Sequence, residues 1–186
     1  MTDPDEVRLQ PWVRTMQIIA GAMMLGVVFC LGTLSLVVVQ AKGQGMMQPP
    51  PDFPMVTAIA VVLLVSNVPL SFGLPVAVTR QALRRIAAGT WQPPAQNPGT
   101  TFATDSSKLL AVRQTSLIIG LALLEAAGLL GCIAYLLEAD PIALGVVAVA
   151  LAFQLARFPT EGRVRAWLEQ QADRLAELRQ QGASPE

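Results

Sequence analysis

The chain has 186 residues, 53% of them hydrophobic and 14% charged, and its thirteen basic and thirteen acidic residues balance to a net charge of zero. Soluble domains carry about 25% charged residues, so this composition describes a membrane protein, and the neutral balance gives no global field for nucleic acid. Histidine is absent, which removes imidazole metal sites, Ser-His and Cys-His catalysis and any histidine pH switch.

The N-terminal segment, residues 1–15, sets Asp3, Asp5 and Glu6 against Arg8 and Arg14, with Trp12 beside Pro11 as an interfacial aromatic. A first span is predicted over residues 16–39, 24 residues without a charge. Val39–Gln40–Ala41 resembles a signal-peptide cleavage site. The acidic flank and a core longer than the usual 7–15 residues or so favour an uncleaved span instead. Ala22, Gly26 and Cys30 are spaced for close helix approach. The loop from Gln40 to Pro54 is rich in Gly, Pro and Met. Pro49–Pro51 favours polyproline geometry, and Met46 and Met47 read as surface filler. Gly43–Gln44–Gly45 is loop punctuation, since no Walker A, GxGxxG or HExxH pattern occurs.

The second span, residues 55–79, carries Pro69 and Pro75. Each removes an amide donor and clashes with the preceding turn, so a kink packed inside a bundle is expected there. Arg80, Arg84 and Arg85 follow in a helical continuation that Gly89 closes. Residues 80–113 form the longest connection, a linker by composition, in which Asp105 is the expected cap of a resumed helix.

The third span, residues 114–137, reads QTSLIIGLALLEAAGLLGCIAYLL. At 1.5 Å per residue it is about 36 Å long, enough for a hydrocarbon core of about 30 Å. Glu125 near its midpoint costs about 2–3 kcal/mol on insertion scales, so it must be protonated, paired or facing water. Asn67 lies twelve residues into the second span and Glu125 twelve beyond Arg113. Equal depth predicts that the two side chains face each other or share a water.

Asp140 as N-cap and Pro141 at the first helical position start a fourth span, residues 141–158, short enough that Arg157 is expected to snorkel to the interface. Phe158–Pro159–Thr160 breaks it. From residue 160 to 180, Val164, Trp167, Leu168, Leu175 and Leu178 recur at helical spacing among charges, an amphipathic helix with Trp167 as a further anchor. Residues 181–186 are expected to be a disordered tail. Cys30 and Cys132, both within spans and far from any CxxC spacing, read as small buried hydrophobes.

Twelve basic residues lie before the first span, between the second and third, and from Arg157 onward, against Lys42 alone on the other side. The positive-inside rule then places both termini in the cytoplasm. The expected fold is all-α and polytopic, four transmembrane helices plus a C-terminal amphipathic helix.

Two resemblances bear on function. The IIGLALLEAAGLLGCIAYLLEADP span, the RFPT break and the RVRAWLEQQ tail together resemble a group of uncharacterised bacterial four-helix integral membrane proteins, which implies an inner-membrane location. The segment VRQTSLIIGLALLEAAGLLGCIAYLL is similar to the second helix of the rotor c-subunit of F-type ATP synthases. That resemblance implies that Glu125 stands where the ion-carrying carboxylate does. The c-subunit differs in pairing this helix with a glycine ladder and in having two spans. The expected function is structural, scaffolding or partner-binding, with Glu125 and Asn67 as polar glue between helices. The alternative is proton or cation handling through Glu125. No nucleophile–base pair or metal set points to an enzyme, and no cofactor is expected. The expected partners are the lipid bilayer and a second copy of the chain or another membrane protein.

Overall fold

The structure is a computed structural model that describes residues 9–44, 53–92 and 104–183. The Pro49–Pro51 run, Met46, Met47, Arg8 and the acidic residues before it, and residues 184–186 lie outside them. The described residues form five helices and no strand: α1 (Leu9–Gly43), α2 (Met55–Ala87), α3 (Asp105–Glu138), α4 (Pro141–Ala156) and α5 (Glu161–Ala183). Three of these, α1, α2 and α3, are long and apolar enough to cross a membrane. The count becomes four if α4 and α5, bent by 64° at their break, are one interrupted span.

The helices begin and end where backbone groups find partners. Asp140 Oδ1 accepts from the Ile142 amide at 2.9 Å and Pro141 opens α4, as the sequence predicts. Gly89, at φ +69°, closes α2. Its amide donates to Ile86 and that of Thr90 to Arg85, the paired bonds of a Schellman ending. At α3 the expectation is corrected. The cap is Thr104, whose hydroxyl accepts from the Ser107 amide at 3.3 Å, and Asp105 is the first helical residue. Asp105 bonds Lys108 and Arg179 instead. The C-terminal helix continues to Ala183, three residues past the predicted 180, while α4 stops at Ala156 with Arg157 as its cap. Both prolines of α2 lie inside one uninterrupted helix.

α3 is the central element. It touches α1, α2, α4 and α5, whereas α1 and α2 do not touch each other. Small residues on α3 let its neighbours in. A Cβ at Gly131 would sit 2.9 Å from Val147 Cγ2 and 3.2 Å from the Ala143 carbonyl oxygen on α4. One at Gly128 would sit 3.2 Å from Val27 on α1. Around these approaches the apolar core divides by partner: Met16 and Ala20 pack with Leu117 and Leu121, and Ala60 and Leu64 with Ala127, Ala134 and Ala143.

α5 uses the apolar face predicted for it, and that face lies against protein. Val164 and Leu175 are buried, the first beside α1 and the second beside Leu83 and Ile86 of α2 and Leu109 of α3. The helix lies across the ends of α1, α2 and α3 where the basic residues gather.

Candidate functional site

Glu125 projects from the middle of α3 toward α1. It is half-buried, and its Oε1 lies 3.5 Å from where a Cβ on Gly26 would be. That is an ordinary van der Waals separation, so Gly26 marks where the carboxyl meets α1 in the α1–α3 seam. No described residue forms a hydrogen bond or ion pair with it. Ala22, Gly26 and Cys30, the small residues read from the sequence, thus include the one position that receives the carboxylate.

Asn67 is buried on α2, 6% exposed, and its amide nitrogen donates to the Leu123 carbonyl oxygen of α3 at 2.8 Å. It therefore ties α2 to α3 at mid-span, as polar glue, but not through Glu125. The predicted Glu125–Asn67 contact is corrected by the arrangement of helices. α1 and α2 occupy separate sides of α3, and a side chain facing one cannot meet a side chain on the other. Matching depth along the membrane normal says nothing about direction around the helix axis, where each residue advances about 100°.

The other predicted residues fall at the arginine-rich end. Trp12 is half-buried and packs beside Val13 and Met16. Trp167 packs with Leu83, Ile86 and Val112, and the Arg113 guanidinium lies over its ring, 5.3 Å from the centroid. Arg157 does not extend outward. Its guanidinium lies over Phe72, 3.9 Å from the ring centroid, a cation–π contact. It also presses on Gly120, where a Cβ would collide with Nη1. Pro75 removes the helical donor for the Ser71 carbonyl, and that oxygen lies 3.1 Å from the same Cβ position. Gly120 thus leaves the space that the Arg157 head occupies. Pro69 lies two residues beyond Asn67 and likewise frees the carbonyl of Val65.

Glu138 carries a function that sequence reading passes over. Its two carboxylate oxygens accept from the Val56 and Thr57 amides at 2.7 and 2.8 Å. Pro54, the residue before α2, makes no side-chain cap. The first amides of α2 are orphan donors at the positive end of a helix dipole, and the last residue of α3 supplies the missing acceptor. Proline in place of Ser, Thr, Asp or Asn at the cap position, residue 54, was the available signal. Gln17 makes a second long-range tie, donating to the Pro159 carbonyl at 3.0 Å. Gln154, fully buried on α4, has both amide atoms without a partner among the described residues.

Cys30 and Cys132 are free thiols. Among the described residues no group of three or more Cys, Asp or Glu is placed to hold a metal ion. No protein-family model, curated protein or solved structure matches the chain. What the described residues define is an all-helical arrangement with three to four apolar helices of membrane-spanning length, a central α3, and in the middle of it one carboxyl that no described residue pairs.

Proposed function

We propose that this chain is a four-span protein of the bacterial inner membrane, with both termini in the cytoplasm, that acts by association rather than by catalysis. In this reading Glu125 is a polar contact offered to a second copy of the chain or to another membrane helix. The observation that carries it is the half-buried carboxyl at the α1–α3 seam, which no described residue pairs. Only 11% of the most apolar stretch of α1 is buried in the protein, against 50% for α3. The seam therefore lies on the thinly covered side of the molecule. A partner donor reaching Glu125 would offset the cost of about 2–3 kcal/mol of leaving a charge in the bilayer.

A second reading, proton or cation handling through Glu125, is favoured by the same half-exposure, because a titrating site needs access that an interhelical bond would deny. Two substitutions separate the readings. Under association, Glu125→Ala lowers the yield of cross-linked oligomer or complex in native membranes, whereas Glu125→Gln, which keeps a hydrogen-bonding head, retains most of it. Under ion handling, dicyclohexylcarbodiimide labels Glu125 at pH 5 and progressively less toward pH 9, and Glu125→Gln abolishes proton flux into vesicles. Unchanged cross-linking in Glu125→Ala, with the protein folded, refutes the association reading.

A further inference from the structure

Two adjoining cavities open between α2, α3 and the α4–α5 bend, with volumes of about 200 and 290 Å³. They share Pro75, Val76, Arg113 and Ser116 as walls. The first adds Arg80 and Arg174, and the second adds Arg157 and Arg163. Five guanidinium groups from three helices, α2, α3 and α5, and the α4–α5 connection thus line the two adjoining cavities. No lining residue is an aspartate or glutamate. Among the described residues the ion pairs involve Lys108, Arg165 and Arg179, and none of these five.

The walls carry polar atoms that no described residue satisfies. Arg113 Nε is buried and unpartnered. Gln171, 3% exposed, lines the first cavity with its Oε1 unpartnered. Because the two ends of a carboxamide interchange by rotation, this amide can serve as donor or acceptor. Arg163 Nη1 is already engaged by the Ala156 carbonyl at 2.8 Å. Arg157 is held over Phe72 and Arg113 over Trp167, which leaves the exposed Arg80 and Arg174 at the rim to close on a ligand above the half-buried Arg113. Crowded, partly desolvated like charges without counterions are unfavourable. An anion with several oxygens relieves this by accepting from several guanidiniums at once, the geometry in which arginine recognises phosphate.

We propose that this cavity binds a phosphate group, supplied by the headgroup of an anionic phospholipid. The lipid source rests on the membrane placement proposed above, in which this basic end faces the cytoplasm, but not on the role of Glu125. Apolar Phe72, Pro75, Val76 and Leu117 line the space beside the charges and fit the glycerol and first acyl carbons. Basic pockets between membrane helices at this level take anionic headgroups on the same physical grounds.

The test is thermal unfolding of the full-length protein in a neutral maltoside detergent. It is titrated separately with dihexanoyl phosphatidylglycerol, dihexanoyl phosphatidylcholine and inorganic phosphate. Phosphatidylglycerol is expected to raise the unfolding midpoint saturably and phosphatidylcholine not to. The double variant Arg80→Gln/Arg174→Gln, at the exposed rim, should fold and should raise the half-saturating concentration by about tenfold or more. Arg165→Gln, which removes one charge of α5 outside the cavity, should titrate as the parent does. Removing Arg113 endangers its packing on Trp167, so the rim pair carries the test. Saturable stabilisation by inorganic phosphate would support the site and assign it to a soluble phosphate. Its absence beside a phosphatidylglycerol effect would assign it to lipid. The proposal is overturned if phosphatidylglycerol acts no more strongly than phosphatidylcholine while inorganic phosphate is silent. It is overturned equally if the rim variant titrates as the parent does, or if Arg165→Gln weakens binding as much.

Discussion

Replacing Glu138 tests whether α3 caps α2. Its carboxylate accepts two backbone bonds, at 2.7 and 2.8 Å, and is 7% exposed. Hydrogen bonds to a charged group contribute about 1.5–3 kcal/mol each. Two of them, reduced because water reaches the end of the bundle, give a loss of about 3 kcal/mol for Glu138→Ala. For a chain of this size that is a fall of about 6–12 °C in the unfolding midpoint, by the conversion known for soluble proteins. Glu138→Gln keeps one acceptor oxygen and turns a donor toward the other amide, so about half the loss is expected. Asp140→Ala is the internal comparison. It removes one exposed cap bond, to the Ile142 amide, at about 1 kcal/mol. The measurement is thermal unfolding in detergent followed by helical circular dichroism. The reasoning is refuted if Glu138→Ala costs no more than Asp140→Ala, since the long-range bonds would then be exchanging freely with water.

Gly131→Ala should cost about 1–3 kcal/mol, because its Cβ meets Val147 and the Ala143 backbone carbonyl, which cannot swing aside. Gly21→Ala, with nothing within 4 Å, should be neutral or stabilising in the same melt. Ala139 ends α3 at φ 51°, a left-handed conformation that costs a non-glycine residue about 1–2 kcal/mol, so Ala139→Gly should gain up to about 1 kcal/mol. Partial burial pushes the Asp105 carboxyl up, but its bonds to Arg179 and Lys108 outweigh this and hold it below the usual carboxylate range. A depressed folded value means that the bond to α5 is complete above the unfolded value of about 3.9 and is lost as pH falls through the folded one. Spin labels on α5 and the start of α3 should therefore separate only as pH falls below the unfolded carboxylate value of about 3.9, modestly because the pair is part-exposed. In Asp105→Asn the separation should no longer depend on pH.

Hydropathy and punctuation made the helices legible. Apolar runs marked α1 to α4, Asp140–Pro141 and Gly89 marked two of their ends, and helical spacing marked the buried face of α5. These signals are local, each resting on backbone chemistry within a turn or two. The site was less legible because its facts are azimuthal and long-range. Asn67 and Glu125 were matched in depth, yet only the packing order, with α3 between α1 and α2, decides that they look apart. Arg157 looked like a snorkelling residue because its own neighbourhood is a helix end. The side chain turns inward because Gly120, 37 residues earlier, leaves room for it and Phe72, 85 residues earlier, offers its ring. Pattern reading has no way to add such spaces together.

The bond from Glu138 to α2 also sets an order of events during synthesis. The Val56 amide and its acceptor are 82 residues apart. At about 5–20 residues per second the start of α2 exists for roughly 4–16 seconds before its cap has been made. Throughout that interval α2 holds a place without its final anchor, free to adjust tilt and depth while α3 threads in beside it. Arrival of the last residue of α3 fixes the pair, so the hairpin is completed by the residue translated last, and chains halted before it would carry α2 inserted but not yet set.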